Sequence, residues 1–113
     1  MRVLITGGAG FIGSHIAEYW QGKAEVVVLD NLRSGYKKNL DGLDVKFIEG
    51  DICDRAAVKE AMQSVDYVFH LAAMISVPES MFNITECIKI YCPLRKCFTS
   101  FHSNTVFSGK ACL

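Results

Sequence analysis

"TGGAGFIGSH", residues 6–15, sits between an apolar run and a helical pattern, and this placement restricts the fold more than any other feature. Gly8-x-Gly10-x-x-Gly13 is a literal G-x-G-x-x-G, and Gly7-x-x-Gly10-x-x-Gly13 reads equally well. Such a glycine set is weak alone. Here it follows "RVLIT" (Arg2 to Thr6), a short apolar run of the kind buried on both faces of a parallel sheet. It opens "FIGSHIAEYW", in which Phe11, Ile12, Ile16 and Trp20 recur at helical spacing. A second buried strand, "EVVVLD", then ends on Asp30, at about the ~20-residue distance of a dinucleotide-binding fingerprint. Each element has a physical reason. Gly7 permits the tight turn, Gly10 lets backbone approach a pyrophosphate, and Gly13 lets helix and strand pack closely. The helix N-terminus offers unpaired N–H groups and partial positive charge to phosphates.

Asp30 would accept hydrogen bonds from the hydroxyls of an adenosine ribose. A carboxylate there repels a 2′-phosphate, which favours NAD over NADP, although Arg33 nearby tempers that preference. The plain alternative is a glycine-rich turn beside a solvated aspartate.

The following stretches extend the pattern. "NLRSGYKKNLDG" is polar and glycine-punctuated, hence a loop, and "VKFIEG" is a third strand. Asp54 suits a helix N-cap, with Val58, Ala61, Met62 and Val65 on one apolar face behind it. "YVFHLAA" is a fourth strand running into a loop. Pro78 and Glu79 suit the first turn of a further helix. Strands alternating with helices predict an α/β fold, a Rossmann-type doubly wound parallel sheet, here truncated after about four strands. Its open fourth edge would be a place for self-association.

The chain has 113 residues, suited to one domain, and 50% of them are hydrophobic. Twelve basic and twelve acidic residues cancel, which leaves no footprint of a nucleic-acid binder. No stretch approaches the ~18 consecutive apolar residues of a membrane helix, and the early glycine turn argues against a signal peptide. A cytoplasmic protein with reduced cysteines is expected. The charge balance hides a break: eight Lys/Arg against twelve Asp/Glu lie within 1–86, whereas Lys89, Arg95, Lys96 and Lys110 follow with no acid.

"TGGAGFIGSH", "DNLRSG", "GDICD" and "HLAA", in this order, resemble the N-terminal part of the extended short-chain dehydrogenases, the NAD-dependent epimerase/dehydratases. Asp30-Asn31-Leu32 and the later "SVPESM" look most like the UDP-glucose 4-epimerase-like members. The resemblance covers Met1 to about Ile90. It implies that Gly7, Gly10, Phe11, Ile12 and Gly13 lie along the pyrophosphate, and that Asp30, Asn31, Ser34 and Gly35 hold the adenosine ribose and its surroundings. Asp51 and Ile52 would meet the adenine ring, although Gly50-Asp51 is also ordinary turn chemistry. Leu71, Ala72 and Ala73 would pass beneath the cofactor, with Ile75 to Val77 near a nucleotide sugar, the partner of intact relatives.

The same resemblance implies catalysis by a Tyr-x-x-x-Lys pair, the tyrosine moving a proton and the lysine holding the ribose and lowering the tyrosine's pKa. The literal match here, Tyr19 to Lys23, falls at the far end of the first helix and is assigned no catalytic role; the family's pair comes beyond this sequence. No catalytic residue and no metal ligand is therefore named, and the chain is expected to be inactive alone. A non-catalytic NAD-binding module is the other functional reading. His70 and His15 are read as packing or capping residues. Cys87, Cys92 and Cys97 lack the paired spacing of a zinc site. After Ile90 the family's asparagine is missing and Pro93 interrupts the helix, so residues 1–90 read as the NAD(P)-binding region and 91–113 as a divergent tail, either frame-shifted or disordered. A frame shift with an early stop would produce this pattern, and so would a real divergent segment.

Overall fold

The computed structural model describes residues 1–72 of the chain. Four strands, β1 (Arg2–Thr6), β2 (Glu25–Asp30), β3 (Val45–Glu49) and β4 (Tyr67–His70), form one sheet in the order β3-β2-β1-β4. All three pairings are parallel. Two helices, α1 (Phe11–Trp20) and α2 (Arg55–Ala61), supply connections between strands. Parallel neighbours require such crossovers, because a short hairpin cannot reverse the chain twice.

The two central strands, β1 and β2, are apolar on both faces because both faces are covered. Val3, Ile5, Val26 and Val28 are buried in one core cluster with Ala17 of α1, packed also by Ile16 and Trp20. Leu4, Val27, Leu29 and Val68 point the other way, into a cluster with Val58 and Ala61 of α2 and with Met62 and Val65. This alternation is the period of two expected of a strand, applied here to two separate cores. Fully burying each such side chain contributes ~1.5–3 kcal/mol, so the central strands carry most of the stability.

Local signals place the helix ends. The Asp54 side chain accepts a hydrogen bond from Ala56 N–H at 3.0 Å, capping α2 as its sequence predicts. Gly10 is the N-cap of α1, and no side chain caps that helix. Phe11 and Ile12 are 78% and 64% exposed, and the buried side of α1 is made by Gly13, Ile16, Ala17 and Trp20. One expectation needs correcting in detail. The polar stretch after β2 is not all loop: Lys37–Leu40 form a short 3-10 helix that buries Leu40.

The expected open edge of β4 depends on residues beyond 72. It lies outside the described residues, as do Ala73, Ile75 to Val77, the helix beginning at Pro78 and the segment 91–113. Among the described residues, no helix is long and apolar enough to cross a membrane.

Candidate cofactor-binding site

Parallel pairing gathers the candidate residues at one edge of the sheet. In register, Thr6 faces Leu29 and His70, and Asp30 faces Glu49, so all four strands end together. The loops that follow begin at Gly7, Asn31, Gly50 and Leu71. From β1 the chain winds outward through β2 to β3, then crosses back to β4 on the other side of β1, and this reversal of strand order makes the carboxyl ends of β1 and β4 the topological switch point where open α/β sheets bind ligands.

The glycine loop is built by three different demands. Gly7 has φ +71°, and a Cβ there would stand 2.8 Å from Ala72 N–H nitrogen, so the turn needs glycine for conformation and for space. A Cβ on Gly13 would meet the Gly7 carbonyl oxygen at 2.4 Å and Gly8 Cα at 2.6 Å. Gly10 is different: the nearest atom to its imagined Cβ is the Gly7 oxygen at 3.3 Å. That contact is tight but needs a shift of only a few tenths of an ångström, so packing presses less on Gly10 than on Gly7 or Gly13. The first-turn N–H groups of α1 precede any i−4 acceptor, and the helix dipole adds partial positive charge there. Exposed Phe11 and Ile12 flank this N-terminus.

Asp30 is only 8% exposed and joins two loops. Its Oδ2 accepts from Ala9 N–H at 3.0 Å and its Oδ1 accepts from Leu32 N–H at 2.8 Å. An ionised carboxylate can accept about four hydrogen bonds, so capacity remains for ribose hydroxyls. Gly35 is buried against Ala9, while Ser34 and Asn31 are exposed beside it. Asn31 Oδ1 accepts from Arg33 N–H at 3.0 Å, and its amide reaches Asp51 Oδ2 at 3.5 Å. Exposed Asp51 also orders its own turn, accepting from Cys53 N–H at 2.7 Å. The Ile52 side chain is 9% exposed and belongs to the core under α2.

Thr6 and His70 tie β1 to β4 directly below the loop. Thr6 is fully buried, its hydroxyl lies 2.5 Å from His70 Nδ1, and it accepts from Ala72 N–H at 3.4 Å. Burial pushes the His70 imidazole below its ordinary pKa and keeps it neutral. With the ring proton on Nε2, Nδ1 accepts the Thr6 O–H, which frees the hydroxyl oxygen to hold Ala72. Leu71 N–H donates to the Thr6 carbonyl at 3.0 Å, so Leu71 and Ala72 run along the floor of the glycine loop. His70 is thus a satisfied structural histidine.

Tyr19 and Lys23 stand elsewhere. At ~1.5 Å per residue, Tyr19 lies about 12 Å along α1 from Phe11. Its exposed ring carries the Lys23 ammonium 3.3 Å from its centroid, a surface cation–π contact. No group of three or more His, Cys, Asp or Glu among the described residues could hold a metal.

The sequence reading did not single out Thr6, Ala9, Tyr36 or Asn39. Thr6 carried the one available signal, a hydroxyl ending an apolar strand just before the glycines. Ala9 and Tyr36 act through their backbone, which any residue supplies.

Residues 3–93 match the NAD dependent epimerase/dehydratase family. The chain belongs to that family. A UDP-glucose 4-epimerase from Haemophilus influenzae is 43% identical over 95 residues, covering 76% of this chain and 28% of that protein. The structure of Thermus thermophilus UDP-glucose 4-epimerase in complex with NAD superposes with a TM-score of 0.77 at 36% identity, covering 89% of this chain and 34% of that one. The Thermotoga maritima UDP-glucose 4-epimerase structure with UDP-glucose gives a TM-score of 0.81 at 33% identity, covering 95% and 37%. The chain therefore covers only 28–37% of the length of these relatives. As an NAD dependent epimerase/dehydratase family member, it carries the Rossmann-type parallel sheet expected from its sequence.

Proposed function

We propose that this chain is the NAD-binding N-terminal portion of a nucleotide-sugar epimerase or dehydratase of the UDP-glucose 4-epimerase type. The observation that carries the reading is the uncapped N-terminus of α1 behind Gly7, Gly10 and Gly13, with the Asp30 carboxylate hydrogen-bonded to the same loop. The residues fit a dinucleotide. Backbone N–H groups at the loop and the start of α1 would face the pyrophosphate, with Phe11 and Ile12 alongside. Asp30, with Asn31, Ser34 and Gly35, would hold the adenosine ribose. Asp51 and the Ile52 backbone would meet the adenine, and Leu71, Ala72 and Ala73 would underlie the route to the nicotinamide. Bound NAD supplies reversible hydride acceptance from a sugar carbon. This chain's own part is to bind and orient; none of the described residues is assigned the proton transfer.

The Asp30 charge makes the reading testable. Isothermal titration should give NAD an affinity about tenfold or more above that of NADP, a difference of ~1.4 kcal/mol or more. Asp30→Ala should lose most NAD binding and narrow the gap, because both the ribose acceptor and the repulsion of a 2′-phosphate go together. Equal affinities for NAD and NADP in the unmutated chain would sink the ribose assignment.

A further inference from the structure

The peptide groups on both sides of Ala9 are fully engaged. Its N–H donates to Asp30, and its carbonyl accepts twice: from Tyr36 N–H at 3.1 Å and from Asn39 Nδ2 at 2.9 Å. A carbonyl oxygen has two lone pairs, so this one is saturated. The chain between β2 and the 3-10 helix is thereby drawn down onto the glycine loop. The contact is close: a Cβ on Gly35 would stand 2.8 Å from the Ala9 carbonyl carbon.

Asn39 holds this arrangement from a firm base. It lies in the 3-10 helix, its own N–H donates to the Tyr36 carbonyl at 2.9 Å, and the neighbouring Leu40 is buried in the core at 6% exposure. The Asn39 side chain crosses from that turn to a residue 30 positions earlier in the chain. The bond needs a side-chain donor of suitable reach, which the asparagine amide supplies. Aspartate has the same shape but would turn an oxygen toward the Ala9 carbonyl.

We propose that Asn39 is a positioning residue for the cofactor site. It fastens residues 34–36 over Ala9 and so fixes, before ligand arrives, the loop that faces the adenosine ribose. The proposal rests on the reading of the glycine loop as an NAD cradle. Asn39 itself touches no cofactor; it acts through Ala9, Gly35 and Tyr36. A loop already held in place does not have to be ordered on binding, and affinity rises accordingly.

The test measures NADH binding and amide hydrogen exchange on the full chain, unmutated and as Asn39→Ala and Asn39→Asp. Both variants should raise the NADH dissociation constant about three- to tenfold, the range that one neutral hydrogen bond supports. Exchange of the Tyr36 amide should quicken in both, while that of Val27 and Leu29 in the central strand stays as it was. A purely structural role would instead quicken exchange throughout the sheet and leave the affinity of folded protein unchanged, which would overturn the proposal. Unchanged Tyr36 exchange would overturn it too. If the unmutated chain fails to bind NADH, the dinucleotide reading itself falls; if it binds and the variants bind equally well, only the role of Asn39 falls.

Discussion

At the scale of residues, the glycines of the loop differ in what they resist. Gly13 faces backbone, which cannot swing aside as a flexible side chain can. Gly13→Ala should therefore cost more than the ~1–3 kcal/mol typical of overpacking. Gly22, beyond α1, has φ +77° and no atom within 4 Å of its imagined Cβ, so Gly22→Ala should cost only the ~1–2 kcal/mol of left-handed strain. Urea midpoints of the two variants make the comparison, and a Gly13→Ala protein no less stable than Gly22→Ala would refute the close-packing argument. The demands on Gly7 and Gly13 were legible in the sequence, because a tight turn and close helix–strand packing each require glycine. The hydrogen bonds by which Asp30 holds Ala9 and Leu32 were not legible, since its partners are backbone groups. Ile52 taught a similar lesson: an apolar residue beside a polar turn can serve the core instead.

At the scale of elements, strands and α2 followed from pattern alone, because continuous apolar runs and the Asp54 cap leave few alternatives. In α1 the helix was legible but its buried face was not. Phe11 and Ile12 fit helical spacing yet face outward, since the helix meets the sheet through Gly13 and Ala17, residues whose smallness hides them from a search for apolar bulk. The junction of β1 and β4 offers its own test. Buried, neutral His70 has its pKa depressed by desolvation, so the unfolded chain binds its proton more readily than the folded one. Its contribution is then fully present above the ordinary value of about 6.5 and is lost as pH falls below it. The loss should not exceed ~1.4 kcal/mol per pH unit, the limit for one proton. Urea unfolding at pH 7.5 and 5.5 should show the drop, and His70→Gln should shrink it. An undiminished drop in that variant would place the titration elsewhere.

At the scale of the whole molecule, the sheet order marks the carboxyl edge, where strand order reverses between β1 and β4, as the place where sheets of this kind bind ligands. Thr6, His70, Asp30 and Asn39 all act on that edge, binding its loops to one another with hydrogen bonds that run between elements. The central claim is that these loops together form an NAD cradle within this chain. Amide chemical shifts followed during titration with NAD test it most directly, since they report binding and its place at once. The account predicts that the largest changes fall on Gly7 to Gly13 and on residues 30–36, with β3 and the far end of α1 at Tyr19 nearly still. Saturating NAD that leaves the Gly7 to Gly13 amides unmoved would contradict it.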